Sequence, residues 1–193
     1  MLHPLLVPFA GICFLFNCCE TLVPYAQEAR NSLLVLIFIF TCAFPFISIY
    51  LLYSTSFISG FDLENRRERL VVMLIVTIYY TMLCYLFIQK IGVGMQISII
   101  ALSLALTIAW ATLVSTVVKL SPHALSVSAL LGLFLALQVV NPELNVFYPF
   151  IAALVASGLV MTIRLARQQR PSEVYSGFAV GFLCSYLVIW LFA

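Results

Sequence analysis

The stretch GMQISIIALSLALTIAWATLVSTVV, Gly94–Val118, carries neither a charged side chain nor a proline. A hydrocarbon core takes roughly 20 helical residues to cross, so this run is long enough to span a membrane as one helix. It lacks the polar and apolar alternation over about ten residues that marks a lipid-facing strand. Outward from it, the same reading applies to Ser32–Ser54, Leu70–Gln89, His123–Val140, Val146–Ile163 and Tyr175–Ala193. The expected fold is therefore all-α: a polytopic membrane helical bundle of six firm transmembrane helices. Pro45 predicts a kink in the first of them. The amino-terminal run Leu2–Cys19 is shorter and contains Pro4 and Pro8, and it reads either as a kinked span or as a re-entrant hairpin.

Composition agrees with this reading. Of 193 residues, 64% are hydrophobic and 8% charged, with a mean hydropathy of +1.17, too little polar surface to coat a globule in water. A single transmembrane domain over residues 1–193 is expected, with no room for a soluble one. No Lys or Arg precedes the first apolar run, so it does not read as a cleavable signal and is expected to stay. Gly177 and Gly181 form a small-xxx-small pair in the last span, and Ala153, Ser157 and Gly158 a similar set in the one before, as close helix contact requires.

The charge distribution is the functional clue. Seven of the nine Lys and Arg residues lie in three islands: Arg66, Arg67 and Arg69; Lys119; and Arg164, Arg167 and Arg170. Counting crossings from the first island puts Lys90 and Glu143 on one face and all three islands on the other. The positive-inside rule assigns that face to the cytoplasm. Cations at a membrane edge cost free energy near lipid, and a cluster of them favours an anion. A net charge of +2, held mostly in loops, does not suggest a nucleic-acid-binding surface. Lys90 and Arg30 read as anchors at the opposite surface, and Asp62, Glu64 and Glu68 as local ion-pair partners of the arginines beside them. The six cysteines have no zinc or disulfide spacing and read as small hydrophobes in helix interfaces.

The order Lys119-Leu-Ser-Pro-His123, then Arg164 forty-one positions after His123, then Glu173-Val-Tyr-Ser-Gly177, resembles the type-2 phosphatidic acid phosphatase superfamily, in particular its short bacterial membrane branch. The resemblance covers about residues 60–193. It implies a six-helix bundle that removes phosphate from lipid phosphates through a covalent phosphohistidine. Arg66, Arg69, Lys119 and Arg164 would then bind phosphoryl oxygens, His123 would protonate the leaving alkoxide, and Glu173 would orient its neighbour in the third motif. No metal or cofactor is implied.

The chain departs from the family pattern at the nucleophile. The first motif lacks its Lys and Arg-Pro, the second lacks its Gly, and counting to the nucleophilic His of the third lands on Gln169 or Arg170. Neither side chain carries a phosphoryl group in the family's manner. His3 is the other histidine and the candidate substitute. Two functions are therefore expected. One is a bacterial inner-membrane phosphatase acting on a lipid phosphate monoester or pyrophosphate. The alternative is a catalytically inactive relative that binds or scaffolds lipid headgroups. A small transporter is disfavoured because the spans hold no buried acidic residue.

Overall fold

A computed structural model describes residues 4–19, 26–58, 60, 65–167 and 169–193. His3, Glu20, Asp62 and Glu64 lie outside the described residues. Among the described residues seven helices follow one another: α1 (Leu6–Cys18), α2 (Gln27–Ser54), α3 (Arg66–Ile91), α4 (Met95–Ser115), α5 (Pro122–Val140), α6 (Phe147–Ala166) and α7 (Pro171–Phe192). Among the described residues there is no strand. α2 to α7 are long and apolar enough to cross a membrane, and α1 is a shorter apolar helix, so this is an integral multi-pass membrane protein with an all-α bundle.

Helix ends depart from the apolar runs for a physical reason. Backbone hydrogen bonding continues where side chains turn polar, so α2 begins at Gln27 rather than Ser32 and α3 at Arg66 rather than Leu70. Asn65 caps α3, its Oδ1 accepting from Arg67 N at 3.2 Å while its Nδ2 donates to Glu68 Oε1 at 3.2 Å. Gly92, at φ +65°, ends the helix in the left-handed conformation that glycine adopts without strain. The predicted irregularity at Pro45 takes the form of a π-helical turn over Ile39–Ala43, immediately ahead of the proline whose missing N–H disrupts the regular ladder.

The amino-terminal segment is one helix and not a hairpin. Pro8 falls within its first turn, where no intrahelical N–H bond is lost. Ile12, Leu15 and Phe16 are buried against the bundle. At its far end, Cys19 lies against the carbonyls of Leu144 and Asn145 in the α5–α6 turn, and Arg30 of α2 donates to the Phe16 carbonyl. Arg30 thereby serves one of the carbonyls that a helix leaves unbonded at its end.

α5 and α7 pack most closely. Gly177 sits on Ser121 and Ala124, Gly181 on Leu125 and Ser128, and Gly132 on the Phe182 carbonyl, so the two helices ascend together from a common end. A Cβ on Gly181 would approach Ser128 Oγ to 2.3 Å and Leu125 O to 2.4 Å, which is the close contact expected of the small-xxx-small pair. In α6, Ala153 and Ser157 are buried, Ser157 Oγ donating to Val127 O at 3.4 Å, whereas Gly158 has nothing within 4 Å and takes no part in that contact.

Candidate functional site

At the end of the bundle where α3, α5 and α7 begin, a cavity of about 730 Å³ opens. All three basic islands contribute to its wall, through Arg69, Lys119, and Arg164, Arg167 and Arg170; His123, Gln169 and Glu173 line it as well.

Local structure aims these groups. Arg69 is the fourth residue of capped α3 and turns inward, with 3% of its surface exposed. Its Nε and Nη1 have no hydrogen-bond partner among the described residues. The Glu173 carboxylate acts on it as a charge of opposite sign. Arg66, three residues earlier, is exposed and does not line the cavity. Arg66, expected beside Arg69 on the phosphoryl oxygens, is the first residue of α3 and lies at its exposed end. His123 lies in the first turn of α5 behind Pro122, half-buried.

The second and third motifs are tied together. Ser121 N donates to the Glu173 carbonyl at 3.0 Å, and Ser121 Oγ donates to Gln169 Oε1 at 3.1 Å. Lys119 Nζ lies 3.6 Å from Glu173 Oε1. Glu173 sits in the first turn of α7, where a carboxylate meets the positive end of the helix dipole. Its carboxylate reaches across to Lys119. Arg164 occupies the last turn of α6, a position that favours a cation, and its carbonyl accepts from Gln169 N at 3.2 Å. Gln169 is therefore held from both sides, by Ser121 and by the Arg164 carbonyl. Arg170 is exposed at the start of α7.

The sequence reading gave Arg167 no role beyond membership of the third basic island, yet it lines the cavity. It also missed Tyr80 and Thr107, and the part played by Pro4 and Pro8 of the amino-terminal segment. A signal was present for Tyr80, which follows Arg69, Met73 and Val76 at helical spacing on one face of α3.

Among the described lining residues, five cations face one carboxylate between apolar helices, a balance of charge that favours an anion over a cation. Guanidinium groups match phosphoryl oxygens in bidentate geometry. No protein-family model matches the chain, and neither a curated protein nor a solved structure proves similar to it.

Proposed function

We propose that this protein resembles the type-2 phosphatidic acid phosphatases in function as well as motif order, and that its cavity receives the phosphate group of a lipid monoester or pyrophosphate in a bacterial inner membrane. Arg69 carries the reading. A guanidinium that is 3% exposed, with two nitrogens unpartnered among the described residues, is a buried charge that an anion would stabilise. Lys119 and Arg164 add positive charge around the same space, and a phosphate there would exchange its hydration for fixed donors.

In the hydrolytic reading, a water oxygen forms a new bond to phosphorus as the P–O ester bond breaks, that bond's electron pair leaves with the alkoxide, His123 protonates it, and a proton from the water restores His123. The family's route requires an imidazole to attack phosphorus first. Gln169 or Arg170 stands at that position, and neither an amide held by Ser121 nor a guanidinium attacks. That observation favours the second reading, a protein that holds the headgroup without turning it over.

The two readings separate in purified protein reconstituted in nanodiscs with a panel of lipid phosphates. Phosphate release lost in His123→Ala establishes the enzyme. Saturable binding without release, weakened in Arg69→Gln, establishes the headgroup binder. Gln169→His is then expected to gain release that the parent lacks. Neither release nor Arg69-dependent binding would rule out the phosphate site altogether.

A further inference from the structure

Below its charged mouth the cavity continues as an apolar shaft into the bundle. Arg69 heads a stripe on α3 that continues through Met73, Val76 and Tyr80, all buried and all lining the cavity. Leu104 and Thr107 of α4 and Ala129 of α5 line it too. Thr107 lies eight residues before Ser115 at the end of α4, about 12 Å deeper at ~1.5 Å per residue. Its Oγ1 is buried and has no hydrogen-bond partner among the described residues.

Water is a poor occupant for most of these walls, since a buried water needs about three polar partners and below Arg69 the hydroxyls of Tyr80 and Thr107 stand among apolar side chains. An anion is no better suited there, because every cationic lining group sits at the mouth. The ligand chemistry that joins the two halves is an amphiphile: a phosphate group continuous with a flexible hydrocarbon chain. The total volume lies within the range of pockets that enclose small ligands, about 300–1,000 Å³.

We infer that the shaft holds a hydrocarbon chain of the same lipid whose phosphate sits at Arg69, so that head and chain enter the bundle together and the chain is withdrawn from the surrounding bilayer. This rests on the proposed phosphate site. Lipid tails are as apolar as the shaft, so affinity by itself says little about where the chain lies. Position does.

The full chain in phosphatidylcholine nanodiscs is irradiated with a long-chain alkyl phosphate carrying a diazirine near the chain end, and the labelled residues are mapped. The expected label falls on Val76, Tyr80 or Ala129. It drops at least fivefold with excess inorganic phosphate and in Arg69→Gln. Outward-facing Leu74 and Ile78 on the same helix report the bilayer. Label confined to those two overturns the inference, as does interior label that persists undiminished in Arg69→Gln or with the uncharged alkyl alcohol. The phosphate site is read separately, by calorimetric titration of inorganic phosphate into the parent and Arg69→Gln proteins. Phosphate binding that depends on Arg69, together with outward label, leaves the phosphate site standing and removes only the chain. Absence of Arg69-dependent phosphate binding removes both.

Discussion

Lys119 Nζ and Glu173 Oε1 stand 3.6 Å apart, an ion pair that joins the α4–α5 turn to the first turn of α7 at the mouth of the cavity. Glu173 is the one carboxylate among the described lining residues and competes there with any incoming anion. Glu173→Gln is expected to raise the affinity for inorganic phosphate about fivefold, the equivalent of ~1 kcal/mol, measured by calorimetry. Lys119 is 47% exposed, so the pair itself stabilises the fold by less than about 1 kcal/mol. Lys119→Met accordingly leaves the melting temperature nearly unchanged while weakening phosphate binding.

Arg69 and Arg66 differ in burial and should differ in effect. Losing charge-assisted hydrogen bonds of about 1.5–3 kcal/mol, Arg69→Gln is expected to weaken lipid-phosphate binding about 10- to 100-fold. Arg66→Gln, exposed and off the lining, should change it about twofold or less at ordinary salt. Equal losses from the two variants, in a nanodisc binding assay, would contradict the placement of Arg69.

Helix packing gives a stability test independent of function. Gly181→Ala places a methyl against Ser128 Oγ and the Leu125 carbonyl and is expected to destabilise by about 1–3 kcal/mol. Gly158→Ala meets open space and should be neutral or stabilising by about 0.5–1 kcal/mol through helix propensity. Thermal unfolding in one detergent ranks the two.

Two threonine hydroxyls separate a satisfied group from an orphan. Thr112 Oγ1 lies 3.1 Å from Thr77 Oγ1 and donates to the Ile108 carbonyl at 2.7 Å. Thr112→Val should cost about 0.5–1.5 kcal/mol. Thr107→Val removes a hydroxyl that has no partner among the described residues and should cost nothing or raise the melting temperature in the ligand-free protein.

Cys18 and Cys19 report how α1 docks. Cys18 is exposed; Cys19 is buried against the Leu144 and Asn145 carbonyls, and burial raises its thiol above the ordinary range. A raised thiol pKa means less thiolate at a given pH, so alkylation of Cys19 at neutral pH should be far slower than that of Cys18 and should accelerate as pH rises. Mass spectrometry after pulsed maleimide labelling distinguishes them. Equal labelling at neutral pH would place the end of α1 away from the α5–α6 turn.

Much of the fold was legible because hydrocarbon is a simple solvent. A run such as Gly94–Val118 satisfies its backbone internally and needs no partner to be recognised as a spanning helix. Parity along the six spans was enough to put Arg69, Lys119 and Arg164 on one face. The departures have local causes: the apolar run marks the hydrocarbon boundary and not the helix end, so α3 begins at Arg66 behind its Asn65 cap, and Arg66 is exposed there. Pro8 was readable as a breaker only as long as its place within the first turn of α1 was unknown.

The sequence by itself determined the all-α membrane class, the six long helices and the common face of the basic islands, since length and hydropathy act along the chain. Only the tertiary structure decided which cations meet, that Ser121 holds Gln169, that Lys119 pairs with Glu173, and that α1 reaches both the cavity and the α5–α6 turn. Those outcomes depend on helix rotation and on how closely Gly177 and Gly181 let α7 approach α5. A rotation of one residue, about 100° around a helix with 3.6 residues per turn, would turn Arg69 from the cavity toward lipid, and no linear pattern of charge fixes that angle.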